Sequence, residues 1–129
     1  MFSKSYAVDP KHIDFQGVMD GLYYPFYFEW ARHAFLYEAL GIDIEQLFEQ
    51  GKMYVVLEYQ LKFKHSVKRG DQVDITCDLE KHEKSTRINV IQQMTVNGQI
   101  AAEATFVCTC IERGRPNVPF ELLNMLNFK

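Results

Sequence analysis

Tyr23-Tyr24-Pro25-Phe26-Tyr27-Phe28-Glu29-Trp30-Ala31-Arg32-His33-Ala34-Phe35-Leu36-Tyr37-Glu38-Ala39-Leu40-Gly41 is the stretch whose reading decides the fold. It reads as one long helix. Pro25 fits only in a first turn, where its missing N–H costs nothing, so the helix starts near Tyr23. Gly41 is a stop signal after about Leu40. Tyr27, Trp30, Ala31, Ala34 and Phe35 make one broad apolar stripe, which Phe28, Leu36 and Leu40 extend. Glu29, Arg32 and His33 leave a narrow polar strip at i,i+3 and i,i+4 spacing. A helix apolar over so much of its circumference is expected to be largely enclosed. About 18 residues rising about 1.5 Å each span roughly 27 Å, enough to cross a whole sheet.

Downstream the period changes from helical to two. A short amphipathic helix from Ile44 to Gln50 ends at Gly51, and Tyr54 to Lys64 then reads as a strand with Val55, Leu57, Tyr59, Leu61 and Phe63 on one face. After the Lys68-Arg69-Gly70-Asp71 turn, Val73, Ile75, Cys77 and Leu79 alternate with polar residues. His82 to Ser85 turns the chain into a strand from Thr86 to Val96. Asn97-Gly98 is a strong hairpin signal, because both residues tolerate positive φ. Gln99 to Ile111 is the last long strand, with Ala102, Ala104, Phe106, Cys108 and Cys110 on one face. Arg113-Gly114-Arg115-Pro116 closes it, and Phe120 to Leu126 is a short terminal helix. Short connections favour a meander of hairpins.

Upstream, Phe2 to Val8 is a short strand ending at the Asp9-Pro10 turn signal. The loop that follows carries Asp14, Gly17, Asp20 and Gly21 and feeds the long helix. A carboxylate beside the positive end of a helix can activate water while the helix end stabilises an oxyanion. Strand, long helix and four strands make an α+β layer arrangement, one helix wrapped by a curved antiparallel sheet of about five strands.

The totals bound the function. At 129 residues the chain is expected to be a single domain, residues 1–129, with a real core. A net charge of −3 gives no general electrostatic footprint for nucleic acid, so no nucleic-acid partner is expected. No stretch approaches the roughly 18 consecutive apolar residues of a membrane span, and no signal peptide pattern opens the chain, so the expected location is cytoplasmic. Cysteine count is odd. Cys108 and Cys110, two apart on one strand, suit reduced core residues better than a disulfide framework. Ser3, Ser5, Ser66 and Ser85 stand in no nucleophile elbow, His12, His33, His65 and His82 lack metal-ligand spacing, and no glycine-rich phosphate loop exists. Neither metal nor redox cofactor is expected.

Taken together these residues resemble the hot-dog-fold acyl-CoA thioesterases similar to 4-hydroxybenzoyl-CoA thioesterase. Asp14-x-x-Gly17-Val18 matches the first part of their loop. Tyr24-Pro25-Phe26-Tyr27 followed by Glu29-Trp30-Ala31-Arg32 matches the second. Gly70-Asp71, Asn97-Gly98 and Gly114-Arg115-Pro116 with Pro119 extend the likeness over essentially the whole chain. The resemblance implies hydrolysis of an acyl-CoA or acyl-carrier thioester to free acid and thiol, with coenzyme A present only as part of substrate and product. It implies a homodimer or homotetramer with sites between subunits, and a lone curved sheet with open edges agrees.

Two carboxylates compete for the catalytic role. Counting back from Tyr27, the family's spacing lands on Gly17. Anchoring on Asp-x-x-Gly selects Asp14 and leaves about three extra residues before Tyr23. Asp14 read alone is a solvated loop carboxylate. Asp20, followed by Gly21, is well placed as a helix cap or turn former, and is the alternative catalytic group. Tyr23, Tyr24 and Tyr27 are expected at the oxyanion and substrate site. The N–H groups near Tyr23 and Tyr24 would hold the carbonyl oxygen, and the rings would line the acyl channel or its mouth. His12 could orient a substrate or the carboxylate, and Glu29 can pair with His33. Coenzyme A phosphates could meet Lys62, Lys64, His65, Lys68 or Arg69, or Lys81, Lys84, Arg87, Arg113 or Arg115, and the sequence does not choose. Rival readings are a hot-dog hydratase or dehydratase, for which Asp9-Pro10-Lys11-His12 lacks the signature's Asn, and a non-catalytic acyl-thioester binding protein.

Overall fold

Clean alternation builds the sheet. Val73, Ile75, Cys77 and Leu79 are buried while the residues between them are not, so that strand buries one face only. In the computed structural model, which describes residues 1–127, the elements run β1 (Phe2–Ala7), α1 (Tyr24–Leu40), α2 (Ile44–Glu49), β2 (Lys52–Phe63), β3 (Gln72–Lys81), β4 (Ile88–Val96), β5 (Gln99–Glu112), β6 (Arg115–Asn117) and α3 (Phe120–Asn127). Two short 3-10 turns, Pro10–His12 and Gly21–Tyr23, join β1 to α1. All strand pairs are antiparallel, in the order β1-β3-β4-β5-β2, with β6 added beside β5. The sheet curls into a half-barrel around α1, the hot-dog arrangement expected from the sequence.

Turn chemistry agrees with the sequence. Asn97 (φ 51°) and Gly98 (φ 79°) make the β4–β5 hairpin. At the end of α1, Gly41 has φ 69°; its N–H reaches Tyr37 O at 3.1 Å, and the Ile42 N–H reaches Leu36 O at 2.8 Å. The Gly41 bond to Tyr37 O is the αL cap, and with the Ile42 bond it satisfies two of the last carbonyls of the helix. Cys77, Cys108 and Cys110 are all free and buried. No helix among the described residues is long and apolar enough to cross a membrane.

Three expectations are corrected. The strands β2 to β5 are not a simple meander. β3, β4 and β5 are consecutive hairpins, but β2 lies on the far side of β5, at the edge of the sheet. The link from Lys64 to Asp71 is long enough to cross from one side of the half-barrel to the other, so β2 is free to avoid β3.

The apolar face of β2 also changes phase. A bulge falls between Val56 and Glu58, so Tyr54 and Val56 share a face with Tyr59, Leu61 and Phe63, and Val55 lies opposite.

Finally, α1 is not enclosed all round. Tyr24, Tyr27, Phe28, Ala31, Arg32, Phe35 and Leu36 form one buried stripe, packed chiefly over β3 and β1. Phe26, Trp30 and Tyr37 on the opposite side are exposed. Arg32 therefore belongs to the buried stripe, not to the polar strip. Each fully buried large apolar side chain of the stripe contributes roughly 1.5–3 kcal/mol.

Candidate active site

The acidic loop is built from local backbone bonds. Asp9 accepts the Lys11 N–H at 2.9 Å and caps the first 3-10 turn. Ile13 then pairs with Met19 in an isolated antiparallel bridge, the Asp14 N–H donates to Val18 O at 2.9 Å, and the Gly17 N–H returns to Asp14 O at 3.0 Å. Gly17 takes φ 85°, which closes this tight turn. Asp14 stands at its base and Phe15 projects into solvent at its tip. The Asp14 carboxylate accepts the Gln16 N–H at 2.8 Å and Gln16 Nε2 at 3.3 Å.

Asp20 has a different job. Its Oδ1 accepts the Leu22 N–H at 2.9 Å, its carbonyl accepts the Tyr23 N–H at 3.0 Å, and its own N–H donates to His12 O at 3.0 Å. Asp20 thus caps the Gly21–Tyr23 turn, whereas Asp14 caps no helix. The α1 helix begins directly after that turn with no side-chain cap. The Tyr23 N–H, expected at the carbonyl oxygen, is taken by Asp20 O, and Pro25 has no N–H to offer; the other first-turn N–H groups of a helix lack intrahelical partners and attract negative charge.

Tyr24 joins this loop to the crossing segment. The Val67 N–H donates to Tyr24 Oη at 3.3 Å, the Met19 N–H donates to Val67 O at 2.7 Å, and Val18 bridges Lys68. A groove of about 460 Å³ opens here, bordered by Met19, Gly21, Tyr24, Phe63, Lys64, His65 and Ser66. Phe63 is 58% exposed, and its ring meets Tyr24 edge-on at 4.9 Å. A Cβ at Gly21 would stand 3.3 Å from Phe63 Cζ, tighter than ordinary packing, so glycine lets this ring lie close. Asp14 is not on the groove wall of the isolated subunit.

Of the three tyrosines, Tyr24 alone borders the groove. Tyr23 stacks on His12 at 4.2 Å. Tyr27 is 0% exposed, and its hydroxyl accepts the Asp9 N–H at 3.0 Å and pairs with His12 Nδ1 at 2.7 Å. Burial pushes the Tyr24 and Tyr27 phenols up, so both stay protonated. Glu29 and His33 face each other at 3.9 Å on the surface of α1. Burial nonetheless lowers the His33 pKa.

The basic residues sort into separate places. Lys64 and His65 border the groove beside α1, with Lys68 bridged to the acidic loop. Lys81, His82 and Arg87 line a groove of about 650 Å³ with Leu123 and Leu126 that shares no residue with the first. Burial pushes the Cys77 thiol up to about 12 and raises Cys108 and Cys110, which leaves all three as weakly nucleophilic neutral thiols. Reading the sequence singled out Lys64 and His65 only as members of a charge run and did not anticipate Phe63 at this site. They reach α1 because the link after β2 crosses the half-barrel.

A family model described as Thioesterase-like superfamily matches residues 8–126. No curated protein sequence matches the chain. Among solved structures, a hypothetical protein from Aquifex aeolicus superposes with a TM-score of 0.87 at 22% identity, covering 98% of this chain and 99% of its own. A 1,4-dihydroxy-2-naphthoyl-CoA thioesterase from Synechocystis gives 0.86 at 14% identity, covering 98% and 95%. A hypothetical protein from Staphylococcus aureus in complex with CoA gives 0.84 at 17% identity, covering 96% and 80%. At these identities the structural likeness establishes the shared fold.

Proposed function

The chain belongs to the thioesterase-like superfamily, and from that premise we propose that it hydrolyses an acyl-CoA thioester to a free acid and coenzyme A. The observation that carries the reading is the start of α1. There a helix N-terminus without a side-chain cap opens on a groove bordered by Tyr24 and Phe63 together with Lys64 and His65, and the loop that feeds the helix carries Asp14, a carboxylate not used as a helix cap. In this reading Asp14 takes a proton from water, the hydroxide adds to the thioester carbonyl, and N–H groups in the first turn of α1 hold the oxyanion. Collapse breaks the C–S bond, and the proton passes from Asp14 to the departing thiolate. Direct attack by the carboxylate to form an anhydride is the nucleophilic variant. Asp20 shapes the turn that aims α1. Neither route needs a metal or redox cofactor.

The CoA complex of the Staphylococcus aureus neighbour supports CoA as the thiol here. Lys64, with His65 beside it as a further hydrogen-bond donor at the groove, is the cation we assign to its phosphates. A panel of acyl-CoA and acyl-carrier thioesters tests the activity. Free thiol should appear from at least one acyl-CoA. An altered acyl chain without thiol release would make the protein a hydratase, and binding without turnover would make it a carrier.

The active unit in this proposal is a dimer formed through β2. That strand is a 12-residue sheet edge with Met53, Val56, Leu57, Tyr59 and Phe63 exposed, a row of apolar side chains beside unpaired backbone groups. A twofold-related copy satisfies both at once. Light scattering at micromolar concentration should give at least twice the mass of one chain, and a monomer would remove the premise that a neighbour completes the site. Phe63→Ala should shift preference among acyl groups more than it lowers the melting temperature, because the ring borders the groove and is not core. A uniform loss that tracks unfolding would return Phe63 to a structural role.

A further inference from the structure

Gly21 is the one glycine in the chain whose backbone does not ask for it. The other six lie at φ between 69° and 85°, where a side chain is strained, and each has open space where a Cβ would stand. Gly21 lies outside that left-handed region, so the turn over Gly21–Tyr23 would accept alanine there. Asp20 makes that turn, through the bond from the Leu22 N–H to its carboxylate. Gly21 is exposed, so the core does not exclude a side chain either. What excludes one is a neighbour.

That neighbour is Phe63. A Cβ at Gly21 would stand 3.3 Å from Cζ, 3.7 Å from Cε1 and 4.0 Å from Cε2, the far edge of the ring. The ring also meets Tyr24 edge-on, with centres 4.9 Å apart, and Tyr24 is tied to the crossing segment by the Val67 N–H. Phe63 is the last residue of β2, and Gly21 opens the turn that leads into α1. The ring therefore reaches from the end of β2 to the start of α1, along one side of the groove of about 460 Å³. A methylene chain threading between ring and turn would need two carbon contacts of about 3.5–4.0 Å each. The ring edge already lies within one such contact of the Cβ position, so that passage is shut.

We propose that Gly21 and Phe63 together determine which acyl group the groove takes. The ring, seated against the glycine, closes the passage between β2 and α1 and restricts the protein to compact acyl groups over long aliphatic chains. This rests on the thioesterase reading and adds to it the class of acyl group and a specificity-determining residue, Gly21.

Values of kcat/KM for butanoyl-CoA and dodecanoyl-CoA test it. The wild type should prefer butanoyl-CoA. Phe63→Ala opens the passage and should raise the dodecanoyl-to-butanoyl ratio roughly tenfold or more, the scale of a small change in an apolar pocket. Gly21→Ala puts a methyl group where the ring rests and moves the ring toward the groove. Turnover of butanoyl-CoA should fall several-fold, with no fall in melting temperature, because the backbone suits alanine. In the Phe63→Ala background the methyl group meets no ring, so the same substitution should cost nothing further; that non-additivity marks direct contact. Calorimetric titration with S-butyl-CoA and S-dodecyl-CoA, thioethers that cannot be hydrolysed, should give the same order of affinities. Tight, size-selective thioether binding without thiol release from any acyl-CoA would end the thioesterase reading and leave the acyl-group proposal standing. Thiol release with dodecanoyl-CoA preferred by the wild type would do the reverse. So would a ratio unmoved in Phe63→Ala, or a Gly21→Ala loss that is equal with and without the ring. Neither thiol release nor thioether binding would overturn both.

Discussion

Asp14→Asn should lower thioester turnover by a factor on the order of 10² or more while leaving the fold intact. Asn is nearly isosteric with Asp. Its carbonyl oxygen can still accept the Gln16 N–H, which Asp14 takes at 2.8 Å, so the turn survives. What is lost is the anion that the proposed mechanism uses as base or nucleophile. Asp20→Asn is the matched control. Asn caps as well as Asp does, so the Leu22 N–H keeps its partner and turnover should change only a few-fold. Both variants are read by kcat/KM from free-thiol release and by circular dichroism melting. A large loss at Asp20 with a small one at Asp14 would transfer the catalytic role to Asp20. Full activity in both folded variants would end the carboxylate mechanism.

That contrast shows how far the sequence carries the site. Both carboxylates were legible as candidates, because few other groups in the chain suit the chemistry. Asp20 was already legible as a cap or turn former; which turn it caps was not, because that depends on where the helix begins. Pro25 fixes the start to within a turn, but the extra 3-10 turn over Gly21–Tyr23 is what makes Asp20 a cap. The groove was less legible still. Phe63, Lys64 and His65 lie some 40 residues from Tyr24 in sequence, and only the crossing of Lys64 to Asp71 brings them to it.

Strand existence and hairpin turns were written in period-two alternation and in Asn97-Gly98. Strand order was not, since alternation says which face is buried and nothing about the neighbour. The bulge after Val56 left no residue signal either; Leu57 simply continues the apolar pattern while the phase of the strand shifts beneath it. Arg32 shows the opposite failure. Helical spacing places it with Phe28 and Leu36, four residues to either side, on the buried stripe. Its charge argued for the surface, and the geometry prevailed because Gln92 and Phe106 receive the guanidinium.

Phe28→Ala should be the most damaging single truncation in α1, and Phe26→Ala, two residues earlier, should be mild. Both remove the same atoms from the same helix, and Ala gains the same small helix propensity at each. Only the environment differs. Phe28 is 0% exposed and packs against Phe106 with ring centres 5.8 Å apart; its loss strips one side of the ring that also carries Arg32. Truncating a buried Phe costs about 3–5 kcal/mol, the transfer term plus the cavity left behind. Phe26 is 46% exposed and touches His12 and Tyr23 only along its edge, so its truncation should cost about 1 kcal/mol or less. Urea midpoints with a shared m-value measure both. Equal and large losses would mean that α1 is enclosed on both faces in the folded assembly. The exposed row of Phe26, Trp30 and Tyr37 would then be an interface as well.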